Sequence, residues 1–210
     1  MGMLMEFKAT CPVDGTTFTY MSTPSYSVFG RALDGLPHGS WIFPLRLPQC
    51  PACRFPATFR DLESVERTRA QALIASEAWT EAGEETPYWR LNLAEVALGR
   101  ATDWTRIDRM LQATWECYGD PARYGRYAAQ LGQAMDEIAA DLKPEKAEAC
   151  VVHQVFVANV ERQAGDFKRA AARLDQIDAA RAVDAGMDER IALTRGLIAN
   201  GSRRQQFLDR

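Results

Sequence analysis

The sequence predicts a mainly α fold, with antiparallel helical hairpins behind a small N-terminal β unit. Three observations predict it. Seven of the ten prolines precede Arg60, a density that forbids long helices there. After Arg60, apolar residues recur at spacings of three and four almost to the end. Capping residues and prolines then cut that stretch into short pieces, as expected of antiparallel neighbours. The expected domains are residues 1–60 and residues 61–210.

In the first sixty residues, short β-prone pieces stand between turns. "TTFTYM" (16–21) alternates Thr16, Phe18 and Tyr20 with a period of two. "YSVFG" (26–30) and "SWIFPLRL" (40–47) are the other candidates, and "DGLPHG" (34–39) reads as a turn between them. Roughly seven helices are expected beyond Arg60. Leu62, Val65, Ala72, Leu73, Ala75 and Trp79 line the first. Thr86-Pro87 and Asp120-Pro121 are cap-plus-proline starts, and Pro144 offers a third. The periodic sets Trp104 to Tyr118, Tyr124 to Leu142, Val152 to Val160 and Phe167 to Ile177 follow. A more polar segment from Asp188 to about Ala199 comes last.

Two junctions resemble each other. "EVALGRATDWTRIDRML" (95–111) aligns with "NVERQAGDFKRAAARLD" (159–175) on Asp103-Trp104 and Asp166-Phe167. The offset of 63 residues is close to twice the roughly 34-residue tetratricopeptide period. Each pair is expected at a helix-helix turn, with the Asp capping the second helix and the aromatic filling the gap. The helical part therefore reads as tetratricopeptide-like.

The β unit carries a metal-binding pattern. Zinc in a ribbon is held by two Cys-x-x-Cys turns whose four thiolates close a tetrahedron. "CPVDG" (11–15) and "CPAC" (50–53) offer Cys11, Cys50 and Cys53, with Asp14 where a fourth cysteine would stand. Asp14 can ligate through one carboxylate oxygen. His38, in "LPHGS", is the alternative fourth ligand, and an empty site with plain thiols is the third reading. A small β unit needs a staple, so a metal here would contribute folding free energy. The expected cofactor is a structural zinc.

Composition narrows the function. Net charge is −3. Residues 61–120 carry six Lys/Arg against twelve Asp/Glu, and no segment is strongly basic. Nucleic acid is therefore not an expected partner. No apolar run approaches the roughly 18–20 residues that cross a bilayer, and the start has no signal-peptide plan, so a cytoplasmic protein without membrane contact is expected. In a reducing compartment the five cysteines are metal ligands or buried thiols; Cys117 and Cys150 read as core thiols. His153 and the five tryptophans read as packing residues. The chain has no phosphate-binding glycine loop, nucleophile elbow or H-E-x-x-H, and no catalytic residue is assigned.

At "CPVDGTTF" and "CPACRFPATFRDL" the sequence resembles a family of uncharacterised bacterial proteins that join an N-terminal CPxCG…CPxCGY zinc ribbon to tetratricopeptide-like helices. Asp14 in place of cysteine and Arg54 in place of glycine depart from that pattern. The resemblance implies an architecture and no reaction. The expected function is a non-enzymatic binding or scaffold protein that takes a protein or peptide in a helical groove. A nucleic-acid-associated ribbon protein and a metal- or thiol-dependent enzyme are the alternatives. In the groove reading, the helix about 147–163 turns Val152, Val155, Phe156 and Val160 to the core. It leaves Gln154, Asn159 and Arg162 to line the groove or face solvent, with Asn159 and Arg162 as partner-binding residues.

Overall fold

The computed structural model describes residues 3–140, 147–177 and 185–208. The described residues are mainly helical, with two small two-stranded sheets. They fall into two compact units. The first joins Met1–Ser27 to Gly39–Glu116, and the second joins Val28–His38 to Cys117–Arg210.

In the first unit, β1 (Met5–Thr10) and β2 (Thr17–Ser22) form an antiparallel hairpin, with Phe7 opposite Tyr20 and Ala9 opposite Phe18. The two strands turn one half-buried face inward; on it Phe7 and Tyr20 stack with ring centroids 5.7 Å apart. The candidate strand at 26–30 appears as β3 (Val28–Arg31), which pairs with β4 (Pro37–Gly39). Residues 40–47 form no strand; Pro44 in their middle has no N–H to give to a ladder.

The helices of the first unit begin with α1 (Ser64–Ile74) and α2 (Glu77–Glu81). The sequence pattern predicts one helix here. The chain breaks at Ser76, whose hydroxyl accepts the Trp79 amide at 3.2 Å and starts a second helix. After a 3-10 turn at 82–84 comes α3 (Pro87–Leu98), capped by Thr86 with Pro87 in its first turn as expected. α3 ends at Gly99 in the left-handed conformation (φ 75°) and leads to α4 (Asp103–Trp115). The cap of α4 is Thr102, one residue earlier than the expected Asp103. α3 packs on both α1 and α4.

The second unit contains α5 (Pro121–Ala140), α6 (Ala147–Ala164), α7 (Phe167–Asp175) and α8 (Ala185–Ala199). Asp120 caps α5 through the Arg123 amide, and Asp166 caps α7 through the Arg169 amide, both at 3.0 Å. The helix start proposed at Pro144 lies outside the described residues. α6 packs on α5, α7 and α8. The two look-alike junctions, α3–α4 and α6–α7, thus fall in different units.

The change of composition near Arg60 is not the boundary between compact units. Within the first unit, helical side chains hold the proline-rich segment. Trp79 Nε1 donates to Cys53 O at 3.0 Å, and the Tyr88 hydroxyl donates to Leu45 O at 2.9 Å. Arg90 donates to the Gln49 amide oxygen. Within the second unit, residues 28–38 are held by distant helices and by the C-terminal segment. Leu33 N donates to Gln206 O at 2.9 Å, and Ala32 forms a bridge with Phe207. Gly35 (φ 86°) lies so close under Phe156 that a Cβ would stand 2.9 Å from its ring. Among the described residues no helix is long and apolar enough to cross a membrane.

Candidate metal centre

Two backbone turns of one design build the centre. In the first, Cys11 N donates to Thr16 O at 2.8 Å and Gly15 N donates to Cys11 O at 3.0 Å. In the second, Cys50 N donates to Phe55 O at 2.9 Å and Arg54 N to Cys50 O at 2.8 Å. Cys11 therefore matches Cys50, Asp14 matches Cys53, and Gly15 matches Arg54. The match extends to dihedrals, since Gly15 has φ 76° and Arg54 φ 60°. A left-handed residue ends both turns although the second has no glycine there. The first turn joins β1 to β2; the second is closed by a single bridge, Gln49 to Pro56. Phe55 and Trp79 pack behind the second turn with centroids 6.1 Å apart.

These turns bring Cys11, Asp14, Cys50 and Cys53 together, with one donor atom of each within 4.8 Å of all the others. Cys11 Sγ lies 3.6 Å from Cys53 Sγ, and Cys50 Sγ lies 3.4 Å from Asp14 Oδ2. A tetrahedral zinc with bonds of about 2.3 Å to sulfur and 2.0 Å to oxygen needs edges of about 3.8 Å between sulfurs and about 3.5 Å between sulfur and oxygen. Both measured edges agree with those lengths to within a few tenths of an ångström. The sulfur pair is far from the roughly 2.05 Å of a disulfide, and none of the five cysteines is in a disulfide. These four residues can hold a metal ion.

The electrostatics without a cation follow from burial and from local donors. Burial pushes the Cys11 and Cys53 thiols up, with the neighbouring Asp14 carboxylate adding to the rise. Burial works against ionisation of Asp14 too, but the Thr16 amide at 2.9 Å and the Cys53 and Cys11 thiols outweigh it. The Asp14 carboxyl is held well below the usual carboxylate range. A divalent cation reverses the thiol balance, because it favours the thiolates that burial opposes.

His38, the alternative fourth ligand, is not in this group. It lies in β4, in the second unit, with its ring edge-on to Phe29 at 6.4 Å and Phe207 at 5.4 Å. Cys117 and Cys150 are buried, at 2% and 5% exposure.

The expected partner-binding residues are also placed otherwise. Asn159 and Arg162 are both fully buried, and Gln154 is 6% exposed. Asn159 Nδ2 donates to Val155 O at 3.0 Å and to Thr194 Oγ1 at 2.9 Å. Arg162 donates to Asn159 Oδ1, Ser202 O and Arg204 O. Because α6 packs on three helices, Gln154, Asn159 and Arg162 bond inward and are not available to line a groove. Gln154 instead accepts from Arg173, which also forms a forked pair with Glu161 at 2.7 and 2.9 Å.

A second polar cluster gave no local signal in the sequence. Asp34, in the "DGLPHG" turn, is fully buried and accepts from the Tyr118 hydroxyl, from Gln163 Nε2 at 3.2 Å and from Leu36 N at 3.2 Å. Tyr118 stacks on Tyr124 at 5.5 Å, and Tyr124 donates to Gln163 Oε1 at 2.9 Å. Burial pushes Asp34, Tyr118 and Tyr124 upward, and the Asp34 charge adds to the shift of both tyrosines. Tyr118 and Gln163 lie 84 and 129 residues from Asp34, beyond the reach of any motif.

No family model, curated protein or solved structure matches this chain.

Proposed function

We propose that the protein is a non-enzymatic binding or scaffold protein whose N-terminal turns are stapled by one structural zinc. The observation that carries the reading is the donor set. Cys11, Cys50, Cys53 and Asp14 gather four candidate ligands, two of whose separations match a tetrahedral site, which supports a coordination shell closed by the chain itself. A catalytic zinc keeps one position for water, and here Asp14 takes that position. Thiolate ligands suit zinc over hard cations such as magnesium and calcium. They also suit a reducing compartment such as the cytoplasm. The zinc-ribbon resemblance at the two turns accords with this reading, and the paired helices α3–α4 and α6–α7 accord with tetratricopeptide-like hairpins that receive a protein or peptide. With Asn159 and Arg162 buried, a partner is received by other side chains than these two.

Elemental analysis after purification without chelator tests the staple, with about one zinc per chain expected. Cys53→Ser is expected to lose the metal and to raise hydrogen exchange first in residues 5–22 and 49–59. Zinc at background level in the wild type, with three reactive thiols at Cys11, Cys50 and Cys53, would refute the reading.

A further inference from the structure

Strand β2 has one open edge. Cys11 N bonds to Thr16 O, and the register pairs Thr10 with Thr17, Lys8 with Thr19 and Glu6 with Met21. In an antiparallel ladder, residues alternate between facing the partner strand and facing away. Phe18 and Tyr20 therefore bond to β1, while the N–H and C=O groups of Thr17, Thr19 and Met21 point away from it. No described residue bonds to those outward groups. Edges of this kind are usually covered, twisted away or charged. In the second unit the chain covers one itself, with Phe207 bridging to Ala32 just past β3.

A cleft of about 460 Å³ runs along the β2 edge. Phe18 to Met21, four consecutive residues of β2, line it together with Glu6 of β1 and with Arg46, Pro48 and Pro51. Side chains of consecutive strand residues point to opposite faces, so a cavity touching all four lies along the edge and not on one face. Its volume is in the range of sites that hold small ligands, about 300–1,000 Å³. Four residues of strand span roughly 14 Å, a length set by Phe18 to Met21. Pro48 and Pro51 in the lining have no N–H with which to continue a ladder, so a single extended chain paired on one side suits the cleft. The charged residues of the lining are Glu6 and Arg46, one of each sign, so the cleft carries no net charge.

We propose that this cleft takes an extended peptide segment of about four residues without net charge, which adds as a third strand on β2. The outward groups of Thr17, Thr19 and Met21 supply the main-chain hydrogen bonds. Phe18, Tyr20 and the lining prolines supply the apolar contact. This rests on the protein- or peptide-binding reading above and gives that partner a place and a chemistry.

The test uses the zinc-loaded full chain and a phage library of random linear peptides of about eight residues. Enriched peptides are synthesised, and their affinities measured for wild type and for Thr19→Pro. Proline removes an outward N–H and leaves the β1 ladder intact. Binding is expected to weaken about tenfold or more, with zinc content and melting temperature unchanged. N-methylation of every second peptide residue is expected to abolish binding to the wild type, with the intervening positions tolerated. This arm still decides the matter if Thr19→Pro fails to fold. Binders indifferent to both changes would overturn the edge site and leave the wider binding reading standing. A library that enriches nothing would overturn both. A concentration-dependent dimer that Thr19→Pro abolishes would assign the edge to a second copy and also overturn the proposal.

Discussion

Asp14 is the residue on which the metal centre turns, and its replacement gives a quantitative test. Asp14→Asn keeps the side-chain shape and an oxygen for the Thr16 amide, which Asp14 Oδ1 now accepts at 2.9 Å. It removes the anionic oxygen that stands 3.4 Å from Cys50 Sγ, at the tetrahedral spacing. Structural zinc contributes about 10–16 kcal/mol near neutral pH. Shared among four ligands, that is about 3–4 kcal/mol each, or roughly a hundred- to thousandfold in affinity at about 1.4 kcal/mol per tenfold. Competition against a chromophoric chelator measures this directly and does not depend on how the substitution changes the metal-free fold. Asp14→Cys supplies the complementary arm. Position 14 matches Cys53 in backbone geometry, so a thiolate there is placed to ligate. The cobalt-loaded variant is expected to show a thiolate-to-cobalt band stronger by about a third, four thiolates replacing three. An Asp14→Asn affinity within threefold of wild type, together with an unchanged cobalt spectrum in Asp14→Cys, would refute the assignment of Asp14 as a ligand.

The remaining predictions concern packing, strain and charge within each unit. Gly132 of α5 lies against the buried pair of α6 and α7, where a Cβ would stand 2.5 Å from Glu161 Oε1. Gly132→Ala is therefore expected to destabilise by about 1–3 kcal/mol. Gly125→Ala, on the same helix with nothing within 4 Å, should gain up to about 1 kcal/mol; urea melts of the two separate them. Arg54→Gly is expected to be about 1 kcal/mol more stable than Arg54→Ala in zinc-loaded protein, because φ 60° strains any residue with a Cβ. Burial raises the Asp34 carboxyl above its unfolded value, so its contribution is full below the ordinary carboxylate range and is lost as pH rises through the folded-state pKa. Relative to Asp34→Asn, which cannot ionise, the wild type should lose stability as pH rises from the ordinary carboxylate range upward, and chemical melts across a pH series read the difference.

The helices were legible because their signals are local. Thr86-Pro87 and Asp120-Pro121 mark starts through hydrogen bonds made within three residues. The turns at Cys11 and Cys50 were legible for the same reason, since "CPxxG" and "CPAC" each encode a closed backbone loop. What the sequence did not disclose is long-range. Asn159 and Arg162 are polar residues of α6, which on a two-sided helix would face solvent. Contact with α5, α7 and α8 buries them, and only a partner such as Thr194 or Ser202 reveals where their donors go. The division into units was hidden likewise. Proline density marks where long helices end, not which helices the chain between the prolines packs against.

The two departures from the ribbon pattern act on different levels of the structure. Arg54 stands where the resembled pattern has a glycine whose task is conformational, and the turn has the hydrogen bonds and the left-handed dihedral of the first turn at the cost of strain. Asp14 stands where the resembled pattern has a cysteine whose task is chemical, and the turn places its carboxylate oxygen beside the cysteine sulfurs. Backbone and ligand are thus separable. The backbone fixes where four donors meet, and the identity of the fourth sets how firmly a metal is held. A carboxylate is a harder and less polarisable donor than a thiolate. A site of three thiolates and one carboxylate should therefore exchange zinc faster than an all-thiolate site of the same shape. The β1–β2 hairpin hangs from the first turn, and β2 lines the cleft. Loosening the metal at Asp14 would therefore loosen the strand edge that the peptide reads, so peptide affinity should follow zinc occupancy across the Asp14 variants.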